Sequence, residues 1–145
     1  MAQNQSNADQ NPSQVARGLA AVRAAEALLR TLGGCTVYVR FPVSVATAGD
    51  ALQLGLQAIA TEDVELAPAV TRALKKDNDS QRKMEVTISA ASLTRAKDIQ
   101  DANSAEQFFE AALGLIYNEK LWRIESLAVD DFGGMPYLYR LTVTE

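Results

Sequence analysis

Several stretches of this chain alternate apolar and polar residues at every step, and that period of two constrains the fold more tightly than any other feature. In CTVYVRF, Val37, Val39 and Phe41 share one side and Thr36, Tyr38 and Arg40 the other, with Pro42 placed to end or bend the run. In KMEVTIS, Met84, Val86 and Ile88 oppose Glu85 and Thr87. Near the end, LIYNEKLWRIESLAV carries a turn signal at Asn118-Glu119. The final run, MPYLYRLTVTE, sets Tyr137, Tyr139, Leu141 and Val143 against Leu138, Arg140 and Thr142. Successive strand side chains point to opposite faces, so each run describes a strand with one buried face. The expected fold class is α+β, a mainly antiparallel sheet or small barrel with an N-terminal amphipathic helix and one or two short helices.

The stretch DDFGGMP between the last two runs contains Asp131-Phe132-Gly133, the tripeptide that holds magnesium over ATP phosphates in protein kinases. That reading requires a glycine-rich loop, a strand lysine and an upstream His-Arg-Asp, and this chain has no histidine. Two acids and two glycines tolerate the positive φ of a tight turn, and Pro136 restarts the strand, so the stretch predicts a hairpin connection. The adjacent Asp130 and Asp131 fall far short of a calcium motif.

A helical period appears where Val15, Leu19, Val22, Ala25, Leu29 and Leu32 recur at three- and four-residue steps, which predicts one apolar stripe. Pro12 and Ser13 start that helix, Glu26 lies four residues before Arg30, and Gly33-Gly34 stops it. Arg17, Arg23 and Arg30 give it a basic side, either a solvated face or a partner surface. AASLTRAKDI after Ser89 predicts a short helix. NSAEQFFEAALG predicts another, capped by Asn103 or Ser104, burying Phe108, Phe109, Ala112 and Leu113 and stopped by Gly114. Residues 43–76 read as β, with DALQLGLQAI as one strand and VELAPAVTRAL as a second interrupted at Pro68. The polar run KKDNDSQRK reads as an exposed loop. Residues 1–14 have almost nothing to bury and read as a flexible polar arm, ordered only with a partner. Residues 15–145 then form a single α+β domain, large enough to hold a core without metal or disulfide.

Composition removes whole function classes. With 48% apolar and 22% charged residues the chain has the balance of a soluble globular protein. No apolar run approaches the roughly 18 to 20 residues that span a bilayer. The N-terminus lacks the basic and apolar regions of a secretory signal, so a cytoplasmic site of synthesis and retention is expected. Cys35 is the only cysteine, which precludes an intramolecular disulfide and reads as a small buried hydrophobe. Without histidine, Ser-His-Asp and Cys-His nucleophiles, histidine bases and histidine metal sites are all excluded. Neither Gly33-Gly34 nor Gly133-Gly134 fits a nucleotide fingerprint. No catalytic, cofactor or metal residues are assigned, and a non-enzymatic protein is expected. Trp122, Tyr117, Tyr137 and Tyr139 gather on the terminal strands, as core packing or as interface anchors. The candidate subunit contacts are Arg17, Arg23, Arg30, Tyr137, Tyr139 and Arg140.

The segment FFEAALGLIYNEKLWRIESLAVDDFGGMPYLYRLTVTE, with the upstream MEVTISAASL, resembles the small neck proteins of tailed bacteriophages, the head-closure or head-to-tail joining class. There a strand like KLWRIESLAV, a short loop with Asp and Gly, and a last strand like YLYRLTV follow one another. The resemblance implies a structural virion protein assembled in the bacterial host cytoplasm. It implies a homo-oligomeric ring, usually of six or twelve copies, between the portal or adaptor and the tail proteins, lining or closing the DNA channel. No cofactor, membrane or sequence-specific DNA contact is implied, and a net charge of -4 suits a lumen that DNA slides past. The N-terminal helix and arm are less typical of head-closure barrels and leave open a tail-terminator or adaptor ring. The alternative from another class is a small cytoplasmic ligand-binding or regulatory domain, with aromatics lining a pocket and Arg40, Arg123 or Arg140 meeting an anion.

Overall fold

A computed structural model describes residues 12–44, 59–74 and 81–145. The expectations for residues 1–11, for DALQLGLQAI up to residue 58 and for most of KKDNDSQRK lie outside the described residues. In chain order the elements are α1 (Pro12–Thr31), β1 (Cys35–Ser44), β2 (Ile59–Ala73), β3 (Lys83–Ser89), α2 (Ala90–Gln100), α3 (Ala105–Glu110), β4 (Gly114–Tyr117), β5 (Lys120–Phe132) and β6 (Met135–Thr144). The described strands pair antiparallel throughout and close into a small barrel in the order β1-β2-β3-β6-β5-β4.

The period-two pattern becomes the inside and outside of the barrel wall. Val37, Val39 and Phe41 of β1, Met84, Val86 and Ile88 of β3, and Tyr139, Leu141 and Val143 of β6 are buried, with Val64, Leu66 and Ala69 of β2 and Leu115 of β4. Burial of each large side chain contributes about 1.5–3 kcal/mol. α2 and α3 pack onto this core through Leu93, Ala96, Phe108 and Phe109. Phe108 meets Phe41 and Phe109 edge-on, each with ring centroids 5.0 Å apart. Both helices start on a capping serine, as their sequences require. Ser89 Oγ accepts the Ser92 N–H at 3.1 Å, and Ser104 Oγ accepts the Gln107 N–H at 3.1 Å. Gln107 in turn accepts the Asn103 N–H at 2.9 Å, so donors at the start of α3 are satisfied reciprocally.

Two hairpins turn on two residues each. Phe132 pairs with Met135 across Gly133 (φ +59°) and Gly134 (φ +82°), and Tyr117 pairs with Lys120 across Asn118 (φ 49°) and Glu119 (φ 62°). Positive φ at both central residues matches the twist of an antiparallel pair. DDFGGMP is therefore the connection expected of it.

Four boundaries differ from the expectation. The helix begins at Pro12, as its Pro12-Ser13 start signal predicts, so the arm ends before residue 14. Its buried residues are Gly18, Ala25 and Leu29, with Val15 and Val22 half-buried, while Leu19 and Leu32 are exposed. The apolar spacing thus does not become a continuous buried stripe, because the helix rests on the barrel along a narrow line. β2 is not interrupted at Pro68, since the proline sits where the β1–β2 register shifts and the Ala67 N–H is taken by Ser92 Oγ at 3.1 Å. β1 likewise continues past Pro42, because beyond Arg40 its ladder is with β2 alone. α3 ends at Glu110, leaving Leu113 exposed, and Gly114 opens β4 rather than capping a helix.

Gly114 marks the tightest point of the wall. A Cβ there would lie 2.6 Å from the Trp122 carbonyl oxygen and 2.9 Å from Leu121 Cδ1. The backbone oxygen cannot move without separating β4 from β5, so Gly114→Ala is expected to cost about 2–3 kcal/mol and lower the melting temperature by roughly 5–10 °C. Thermal denaturation followed by circular dichroism measures this, and an unchanged midpoint would show that the β4 seam is looser than its geometry.

Candidate interaction surfaces

The six candidate contact residues separate into different environments. Arg17 and Arg23 are exposed on α1 and have no carboxylate partner among the described residues. Arg30 reaches back one turn to Glu26 at 3.0 Å, and Arg95 of α2 reaches the same carboxylate at 3.2 Å and the Ala67 carbonyl at 3.2 Å. Glu26 therefore ties α1 to α2 and β2. Arg140 is exposed and pairs with Asp130 at 3.0 Å across the last hairpin. Tyr137 is half-buried. Tyr139 is only 8% exposed and belongs to the core; burial, with the Glu106 charge behind it, pushes its phenol up. A side chain so placed offers a neighbouring subunit no surface, and its inward position follows from the same alternation that buries Leu141 and Val143.

The aromatic cluster of the terminal strands is largely structural. Trp122 is half-buried against the core, with its indole N–H directed at the Tyr117 carbonyl at 3.4 Å. Tyr117 in turn shares a 3.2 Å hydrogen bond with Thr71 Oγ1. Cys35 is half-buried at the start of β1, and burial pushes its thiol up. Among the described residues no group of three or more carboxylate and thiol side chains is arranged to hold a metal ion. No described helix is long and apolar enough to cross a membrane.

The sequence reading missed an apolar ridge on the outside of the wall. The strand registers place Tyr38 beside Ile116 and Ile116 beside Leu121, one outward row over β1, β4 and β5. Tyr38 is 40% exposed and Leu121 49%. Leu121 lies over the bare Cα of Gly114, and on β2 the row ends at Glu65. Each residue looks unremarkable in its own strand, and only the pairing of three strands brings them together. The available signal was the presence of Tyr38 and Leu121 on the otherwise polar sides of CTVYVRF and KLWRIES.

Next to the ridge, Arg40 grips Asp63 with both ends of its guanidinium, Nε to Oδ1 at 2.8 Å and Nη2 to Oδ2 at 2.9 Å. The hydrogen bonds from Arg40, and behind them its charge, hold the Asp63 carboxyl below its ordinary range. Between α3 and β5 runs a groove of about 340 Å³, floored by Phe109, Ile124 and Leu127 and rimmed by Glu106, Glu110 and Arg123. Arg123 faces Glu125 at 3.8 Å, and Glu125 also meets Lys83 at 3.3 Å.

Because the folded-state pKa of Asp63 is depressed, the Arg40 pair stabilises the protein above the ordinary aspartate range and loses that contribution as pH falls through the folded value. Both partners are well exposed, so Asp63→Asn is expected to cost under about 1 kcal/mol near neutrality. The gap between the Asp63→Asn variant and the parent should narrow as pH falls below the ordinary aspartate value of about 3.9 and close once pH is below the lowered folded-state value. Urea unfolding at several pH values measures it, and a gap constant with pH would mean that the pair is not what the substitution removes.

No family model, curated protein or solved structure matches this chain, so its role rests on the fold and on these surfaces.

Proposed function

We propose that this chain is a non-enzymatic structural protein of the neck of a tailed-phage virion, a subunit of a ring that joins the portal to the tail and lines or closes the DNA channel. The observation that carries this reading is the outward ridge of Tyr38, Ile116 and Leu121 on a barrel whose core is already filled by its own side chains. A row of large apolar groups on the outside of a finished core is what a protein contact uses, with an aromatic among its anchors. The C-terminal sequence resemblance supplies the biological setting. The closed antiparallel barrel is compatible with it. The acidic balance of the chain, net -4, suits a passage for phosphates that must not stick.

A tail-terminator or adaptor ring uses the same kind of contact, and α1 packed as part of the domain is compatible with either. The rival reading, an anion-binding regulatory domain, loses its cations. Arg40 is held by Asp63, Arg140 by Asp130, and Arg123 stands beside Glu125. The groove between α3 and β5 is lined by three glutamates, Glu106, Glu110 and Glu125, which repel an anionic ligand.

Native mass spectrometry and negative-stain electron microscopy of the full chain, alone and with the portal and tail proteins of the same virion, test the proposal. The expected result is a closed ring, of six or twelve copies. A chain that stays monomeric with those partners present would overturn it.

A further inference from the structure

Exposed apolar side chains lie near both ends of β5, Leu121 at the start and Val129 and Phe132 toward the other end. At the start, Leu121 belongs to the ridge with Ile116 and Tyr38, flanked by Glu65 in β2 and Glu119 in the turn before β5. At the far end, Phe132 is 47% exposed beside the Gly133-Gly134 turn. α1 reaches this second end, because Gly18 sits so close to Met135 that a Cβ would lie 2.6 Å from its Sδ. Arg17 and Leu19, on either side of Gly18, therefore lie at the end of the molecule that holds Phe132, with Arg23 five residues further along α1. From Leu121 to Phe132 is eleven residues of one strand, at most about 36 Å at roughly 3.3 Å per residue.

Their charges are opposite and unspent. α1 holds three arginines to one glutamate, net +2 in a chain of net -4, which leaves the rest of the chain at -6. Glu26 already holds Arg30 and Arg95. Arg17 and Arg23 have no carboxylate partner among the described residues, and neither Glu65 nor Glu119 has a cation. The ridge is thus flanked by uncompensated acidic charge, and the uncompensated basic charge of the other end lies on α1 rather than on the hairpin, where the exposed Asp131 beside Phe132 has no cation.

We propose that the contact between copies is head-to-tail, with the helix and hairpin end of one copy seated on the ridge of the next. Phe132 and Leu19 meet Tyr38, Ile116 and Leu121, while Arg17 and Arg23 face Glu65 and Glu119. A contact between two different patches repeats from copy to copy and gives a ring when the rotation closes. Opposite charges at the rim set its register and reject the like-with-like pairing of ridge on ridge. This inference rests on the ring reading and specifies which surfaces make the ring.

The test is a reciprocal charge swap in the full chain. Arg17→Glu with Arg23→Glu makes the helix end acidic, and Glu65→Lys with Glu119→Lys makes the ridge basic. Each double variant alone meets like charge at every junction and should raise the concentration needed for assembly at least tenfold in analytical ultracentrifugation. An equimolar mixture offers opposite charges at every junction and should reassemble with the two variants alternating, visible by native mass. Near-UV circular dichroism confirms that both variants keep their folded core. A wild-type ring whose assembly neither variant weakens, or folded variants that fail to reassemble when mixed, would overturn this docking while leaving the ring reading in place. A wild type that never assembles, with or without its virion partners, would overturn both.

Discussion

Everything in this structure depends on a four-residue strand. β4 is the link between β1 and β5, held by three residue pairs on each side: Tyr38, Val39 and Arg40 with Ile116, Leu115 and Gly114, then Tyr117, Ile116 and Leu115 with Lys120, Leu121 and Trp122. The Leu113 N–H extends the seam by one bond to the Arg40 carbonyl at 2.7 Å. The other ladders, such as Lys83 to Ser89 against β6, run for several more pairs. Without β4 the sheet would have two open edges, each a template for unwanted pairing. Closure removes that hazard along the seam and brings Tyr38, Ile116 and Leu121, from three strands, into register. The constraint that completes the fold also builds its most exposed apolar row.

A second consequence follows from the length of β5. Its first residues belong to the seam, and its last belong to a hairpin that reaches Gly133 and Gly134. Register shifts at Ile124/Ser126 and at Asp130/Asp131 mark bulges along the way, and bulges bend a strand and increase its twist. The hairpin end is held by α1 through Gly18 and Met135, and α1 is held in turn by Glu26 with Arg95 and by the close approach of Gly34 to Pro68. A single element therefore connects the acidic ridge to the basic helix and sets the distance between them.

The parts of this architecture written in local pattern were legible beforehand. Alternation in CTVYVRF, KMEVTIS and MPYLYRLTVTE gave the inward set, because a half-buried strand leaves no choice of face once its apolar residues are known. Asn103 or Ser104, Asn118-Glu119 and Gly133-Gly134 marked a cap and two turns, because their chemistry acts within three or four residues. What was not legible depended on residues far apart in sequence. Pro68 looked like an interruption because the serine that takes the neighbouring Ala67 N–H stands 25 residues on. Leu19 and Leu32 looked buried because the width of the α1 contact is set by the barrel beneath it. Tyr139 was a candidate contact until the wall closed around it. The ridge was invisible for the same reason, since its members are 5 to 83 residues apart and only register joins them.

The surface charges carry the remaining argument. Isolated surface pairs such as Arg72 with Glu85 and Arg40 with Asp63 add little to stability. Their larger effect is on what the wall can bind. Phosphate affinity grows with each cation free to release counterions, and a guanidinium committed to a carboxylate 2.8 to 3.0 Å away is not free in that sense. Among the described cations only Arg17, Arg23 and Lys97 have no carboxylate within 4.0 Å, and the first two lie six residues apart on α1. In the proposed ring, α1 is the part of the described surface most able to grip passing DNA. A channel that must release DNA therefore requires these arginines to face away from the lumen or to be covered, and burying them against the glutamates of the next copy does both. The charge pattern that favours head-to-tail docking and the one that keeps the passage slippery are thus the same pattern.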